Sequence, residues 1–241
     1  MTYQPREFWQ ERLSGHFDLR GSGETALSMA YNRACYRLRA EVLTMALREQ
    51  GFDPRGKRVL DVGCGTGFFT GYYLERGADV TGMDIAPVSV ETLSARHPQS
   101  RFILADVGER PIEDRYALVN AMDVLYHITD DARWEAAVTH LAGAVEAGGL
   151  LVLSDAFSEM DRLAEHNRMR PLARYRALLT AAGLQPAGLH PTHVLLNREL
   201  GPFRGLNRLP GLLLAIDRLL LPLGVGRGPG SNQILVARRV K

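Results

Sequence analysis

From residue 58 onward, short runs of apolar and β-branched residues alternate with segments whose apolar positions recur every three to four residues. Residues 58–62, 79–83, 101–104, 117–121, 150–154, 186–196 and 233–238 read as strands, and 68–75, 88–95, 131–145 and 161–182 as helices. Gly77 and Gly183 stand where helices are expected to stop, since glycine is the residue that most readily closes a helix in a left-handed conformation. Strands alternating with helices predict βαβ units around a parallel sheet.

Two regions fall outside this alternation. Residues 1–50 read as two helices split at Gly21-Ser22-Gly23, the second running from about Thr25 to Glu49 with Leu27, Tyr31, Tyr36, Leu38, Val42 and Leu43 on its apolar side. They are expected to form a helical cap over a core made of residues 51–197. Residues 198–230 form an insertion before the final core strand in 231–241. The insertion is Leu-rich from 209 to 223, but Pro210, Asp217, Arg218 and Pro222 interrupt it, and it is too short and too charged to span a bilayer.

Composition fits one compact domain: 241 residues, 46% hydrophobic and 23% charged, with a net charge of +2. A balance so near neutral argues against a dedicated nucleic-acid binder. The charge is nonetheless uneven. From Leu200 to Lys241 seven bases face Asp217 alone, which gives that end +6 and the rest −4. Two cysteines, Cys35 and Cys64, supply neither a disulfide framework nor a four-thiolate zinc site. Residues 1–20 are aromatic and charged rather than a continuous apolar run, so the expected location is the cytoplasm.

The most informative stretch is Val59-Leu60-Asp61-Val62-Gly63-Cys64-Gly65-Thr66-Gly67-Phe68, a buried-type strand running through three alternating glycines into a helix. Such glycines allow close approach of a ligand to the backbone, and the helix N-terminus favours a negative group. A dinucleotide fingerprint would want glycine where Phe68 stands, and the Gly-Lys-Ser/Thr of a phosphate-binding loop is absent. An acid two residues before Gly-x-Gly-x-Gly instead resembles the first motif of the class I S-adenosylmethionine-dependent methyltransferases.

The resemblance covers roughly residues 56–156. Asp84, after the apolar run 80–83, matches the acid that binds the ribose hydroxyls in that family. Asp106, in Leu104-Ala105-Asp106-Val107, matches the acid facing the adenine amino group, with the Val107 amide beside the ring. Residues 121–128 look like the family's strand-four segment, and Glu146-Ala147-Gly148-Gly149 like its turn into strand five. The resemblance implies a doubly wound, Rossmann-like α/β fold of seven strands, the last antiparallel and inserted between strands five and six. It implies S-adenosylmethionine as cofactor and S-adenosylhomocysteine as product. Binding would fall to Asp61, Gly63, Cys64, Gly65, Thr66 and Gly67 in the turn, to Asp84 and Ile85 after strand two, to Asp106 and Val107 after strand three, and to Met122 after strand four.

Methyl transfer from a sulfonium is an in-line displacement in which alignment does much of the work, and it needs no metal. An oxygen nucleophile gains from a nearby base. Of the seven histidines, His127 and His166 follow strands four and five on the side where open α/β sheets bind ligands, and these two are the candidates. His97 and His140 read as structural or solvated. His190 and His193 lack a nearby acid and point to opposite faces at strand spacing, so they are not a metal pair. In the cap, Trp9, His16, Tyr31 and Tyr36 either close over the ligands or are core. The insertion can be a lid, a dimer contact or an attachment to an anionic membrane, and the lid is favoured. The expected reaction is methylation of a hydroxyl oxygen on a hydrophobic natural product or metabolite. Nucleic-acid amine methylation is disfavoured, because Asn120-Ala121-Met122-Asp123 stands where an Asn/Asp-Pro-Pro-Tyr/Phe motif would. The alternatives are a quinone or lipid methyltransferase at a membrane, or a non-catalytic S-adenosylmethionine-binding protein.

Overall fold

A computed structural model describes residues 3–159, 164–197, 200–228 and 230–240. Seven strands form one sheet: β1 (Arg58–Val62), β2 (Asp79–Asp84), β3 (Arg101–Leu104), β4 (Tyr116–Ala121), β5 (Val145–Asp155), β6 (Leu184–Pro191) and β7 (Gln233–Arg239). Their order is β3-β2-β1-β4-β5-β7-β6. The first five strands pair in parallel, while β7 runs antiparallel to both β5 and β6. This is the expected sheet, with its last strand inserted between the fifth and sixth.

Side-chain alternation explains why both faces are covered. Leu150, Val152, Ile234 and Val236 point into one apolar layer, and their neighbours Leu151, Leu153, Leu235 and Ala237 into the other. The first layer is closed by α2 (Met29–Glu49) and α3 (Phe68–Leu74), the second by α5 (Asp131–Gly143) and α6 (Leu172–Ala181). Helix α4 (Pro87–Arg96) connects β2 to β3, and α1 (Pro5–Gly15) lies against α4, where Gln10 accepts a hydrogen bond from the Val88 amide at 2.9 Å. Helix α7 (Pro210–Leu220) packs Leu213 and Leu214 on Tyr31, Ala34 and Leu38 of α2.

Several boundaries differ from those expected, each for a physical reason. Helix α2 starts at Met29 rather than near Thr25, because the Ser28 hydroxyl caps it by accepting from the Tyr31 amide at 3.2 Å. The start of the helix expected over 161–182, at 161–163, lies outside the described residues. The rest begins only at Leu172, since Pro171 restricts Arg170 before it to extended backbone. Arg168 is tied instead to the Tyr126 carbonyl at 2.7 Å. The strand expected over 186–196 stops at Pro191. Beyond it the amides of Val194, Leu195 and Leu196 all donate to the Asp217 carboxylate, at 3.0, 2.7 and 3.1 Å, and leave the ladder.

Candidate active site

The site lies beyond the carboxyl ends of the parallel strands, as open α/β sheets dictate. After β1 the chain turns through Gly63, Gly65 and Gly67, all left-handed at φ of 67°, 52° and 88°. A Cβ on Gly63 would stand 2.4 Å from a Val124 methyl, whereas at Gly65 the nearest atom is 3.5 Å away, so there it is backbone conformation, not crowding, that requires glycine. The result is a bare peptide wall on a cavity of about 260 Å3.

Three carboxylates line the cleft beside that wall, and one of them holds it. Asp84, at the end of β2, accepts from the Gly65 amide at 2.7 Å and the Ala86 amide at 2.8 Å, fixing the glycine turn to the neighbouring strand. Burial raises its pKa and those amides pull it back, leaving a net upward shift. Asp61 accepts from the Thr70 hydroxyl and the Asn120 amide, both at 2.7 Å, and burial pushes its carboxyl up to about 6. Asp106 accepts from the Gly108 amide at 2.8 Å and pairs with Arg133, which also reaches Glu109 at 3.2 Å. A carboxylate has about four acceptor positions, so Asp84 and Asp106 each keep capacity for a ligand's hydroxyl or amino group. This set, with the bare glycine wall, fits an adenosyl ligand.

The opposite wall is aromatic. His127 sits in a 3-10 turn, Leu125–His127, just after β4, with Trp9 of α1 edge-on at 4.8 Å and the His166 ring stacked at 5.6 Å. Its Nδ1 lies 2.9 Å from the His166 carbonyl oxygen. A carbonyl only accepts, so Nδ1 carries the proton and Nε2 is left as the acceptor. Burial pushes the His127 pKa down to about 4, aided by the charge of Arg12, so the ring is neutral at ordinary pH.

The cleft brings together Asp61, Gly63, Cys64, Gly65, Thr66, Asp84, Ile85, Asp106, Val107, Met122 and His127. Two predicted site residues stand apart from its lining. Gly67 caps α3, where a Cβ would meet Leu93 at 2.5 Å, and serves the turn rather than the cavity. His166 is sandwiched between Phe8, at 4.9 Å, and His127, so it supports the neighbouring histidine through its ring and carbonyl. In the cap, Trp9 and Tyr36 line the cleft, whereas Tyr31 is fully buried against α7 and His16 stays outside. His140 is structural, with Nδ1 bonded to the Val107 carbonyl at 2.7 Å. His190 and His193 face different partners: contrary to the expectation that no acid lies near them, α2 brings Glu49 to 3.6 Å from His190, while His193 faces the Cys35 carbonyl, and no metal-binding cluster occurs among the described residues.

Sequence reasoning missed Tyr3, Ser22, Arg133 and Asp123 in this lining. Asp123 has a left-handed φ of 59° and forms a buried ion pair with Arg39 of α2 at 2.8 Å. Burial alone would raise its pKa, but Arg39 and hydrogen bonds from Asn232 and Ser154 hold it below the usual carboxylate range. An acid just past β4 was the available signal. Its partner, far away in α2, follows no local pattern.

Residues 29–187 match the methyltransferase domain family. Over 229 residues the chain is 29% identical to the malonyl-[acyl-carrier protein] O-methyltransferase of Pectobacterium atrosepticum, covering 85% of this chain and 83% of that one. The match to the Serratia marcescens enzyme of the same name, 28% identical, spans about half of either chain, at 52% and 53%. A ubiquinone biosynthesis O-methyltransferase of Bordetella avium is 32% identical over 42% of this chain and 43% of its own. Among solved structures, magnesium protoporphyrin IX methyltransferase from Synechocystis PCC 6803 with bound S-adenosylmethionine superimposes with a TM-score of 0.65 at 19% identity, covering 98% of both chains. A [4+2]-cyclase shares the fold too, with a TM-score of 0.60 at 18% identity over 83% of this chain and 80% of its own, so the fold alone does not decide the chemistry. The family match does decide it: the chain belongs to the methyltransferase domain family and is a Rossmann-like, S-adenosylmethionine-dependent methyltransferase.

Proposed function

We propose that this enzyme methylates a hydroxyl oxygen of a hydrophobic small molecule that lies between the glycine wall and the aromatic wall of the cleft. The observation that carries the reading is His127, a half-buried neutral imidazole among aromatic rings with Nε2 free to accept, on the cleft opposite the carboxylate-lined wall. The relatives named above as O-methyltransferases support an oxygen acceptor.

S-adenosylmethionine, when bound, supplies an electrophilic methyl group on a sulfonium. Asp84 would accept from the ribose hydroxyls, Asp106 and the Val107 amide would meet the adenine edge, and the turn from Gly63 to Thr66 with Asp61 would hold the amino-acid end. Charge-assisted hydrogen bonds of this kind are the strong ones. Trp9 and Tyr3 exclude water and set a planar apolar acceptor against His127. The acceptor's hydroxyl proton would pass to Nε2 of His127, while the His166 carbonyl keeps Nδ1–H oriented. A ring with a pKa near 4 is a weak base, but at neutral pH it is always in the accepting form, so orientation is its main contribution.

Calorimetric titration with S-adenosylmethionine, S-adenosylhomocysteine and NAD as control, followed by a screen of phenolic and aliphatic hydroxyl acceptors, tests the reading. The first two should bind and NAD should not. His127→Ala should leave cofactor affinity unchanged and lower turnover by about 100-fold or more, the range for a positioned proton acceptor. Full turnover in His127→Ala, or methylation confined to amines, would overturn it.

A further inference from the structure

The insertion contributes no residue to the lining of the cleft among the described residues and presents an apolar surface of its own. Helix α7 is apolar on two sides. Leu213 and Leu214 bury against α2, while Leu212 and Leu219, seven residues apart, point outward and are continued four residues on by Leu223. Leu219 is 71% exposed and Leu223 77%, and Phe203, on the 3-10 segment Gly201–Arg208 just before α7, is 69% exposed. Isolated exposed leucines are ordinary, but a row of them on one short segment marks an interaction surface.

Charge decides what covers it. Between Leu200 and Arg227 there are four arginines and one acid. That acid, Asp217, is buried and consumed by the amides of 194–196. Arg218 pairs with Glu41, whereas Arg204, Arg208 and Arg227 are exposed and make no ion pair among the described residues. A second copy of this chain seated on the same face would bring two sets of unpaired arginines together, which is repulsive. An anionic bilayer meets both features, receiving the leucines at its acyl boundary and the arginines at its phosphates. No helix among the described residues is long and apolar enough to cross a membrane, so the contact is peripheral.

We infer that residues 201–225 form a docking surface for an anionic lipid bilayer. The surface is placed to serve the reaction. The insertion leaves the sheet at Pro191 and returns at Gln233, which pairs with Asp155 at the carboxyl end of β5, the same edge on which the cleft opens. The inference does not depend on which oxygen the cleft methylates.

Sedimentation of the purified protein with vesicles tests it, using phosphatidylcholine alone and an equal mixture of phosphatidylcholine with phosphatidylglycerol, at low and high salt. The protein should pellet with the anionic vesicles at low salt and much less with the neutral ones. Arg204→Gln with Arg208→Gln should lower the partition about tenfold or more, and Leu219→Ser with Leu223→Ser should lower it comparably, while both variants keep wild-type affinity for S-adenosylhomocysteine. If the leucine variant fails to fold, the arginine variant still decides. Failure to pellet with anionic vesicles, equal pelleting with neutral ones, or a dimer by light scattering that Leu219→Ser with Leu223→Ser abolishes in the absence of vesicle binding would each overturn the inference.

Discussion

Asp84 already accepts two backbone amides, so its substitution acts on the wall as well as on a ligand. Asp84→Ala should weaken S-adenosylmethionine binding by about 1.5–3 kcal/mol, the worth of hydrogen bonds to a charged group. Asp84→Asn should retain part of that affinity, and calorimetry distinguishes the two; an unchanged affinity in Asp84→Ala would move the ribose elsewhere. His127 makes a different prediction. Because burial brings its pKa down to about 4, its own titration should leave kcat flat from pH 6 to 8 and remove activity only as pH falls toward 4. A kcat profile with an inflection near 6.5 that disappears in His127→Ala would show instead that the ring titrates as an exposed histidine does. The strand-end acids and the glycine turn were legible in the sequence because each lies within a few residues of the strand that places it. His127 was legible as a candidate for the same reason. That its ring is half-buried, neutral and backed by His166 was not, because Trp9 and Phe8 arrive from a helix more than a hundred residues away.

Among elements, the β-sheet follows from pattern alone, since alternate residues of β5 and β7 fill opposite apolar layers. What pattern does not contain is how the insertion is anchored. Asp217 stands on the inner side of α7 and binds three successive amides of the segment after β6, so one carboxylate both ends a strand and seats a helix. In the sequence it reads only as a charge interrupting a leucine run. Asp217→Ala leaves those amides without their acceptor and should cost about 3 kcal/mol or more, measurable by urea unfolding. A loss below 1 kcal/mol would mean that the packing of Leu213 and Leu214 seats α7 unaided. Within the helix expected over 161–182, residues 164–171 are not helical for a reason available locally, Pro171, whose restriction on Arg170 outweighs the helical spacing that precedes it.

For the whole molecule, buried carboxyls set how stability varies with pH. At the end of β5, Asp155 accepts from the Tyr175 hydroxyl, which itself accepts from the Trp134 indole at 3.2 Å, and burial pushes its carboxyl up to about 7. The folded protein thus keeps this proton to about pH 7, whereas the unfolded chain releases it near pH 4. The stability it confers is complete below about pH 4 and is lost as pH rises to about 7. Asp155→Asn has no proton to lose, so the unfolding free energy of the wild type should fall relative to that variant across this window and run parallel to it above. A difference independent of pH would show that the carboxyl ionises normally. The sheet order carries a consequence of another kind, for synthesis. Strand β7 lies between β5 and β6 yet follows both in the chain. Until it leaves the ribosome β6 has no partner in the sheet and the apolar β5 has an open edge, prone to pairing with other nascent chains. The interval between the emergence of β6 and that of β7 is therefore when this protein most needs a chaperone, however early its cofactor wall has formed.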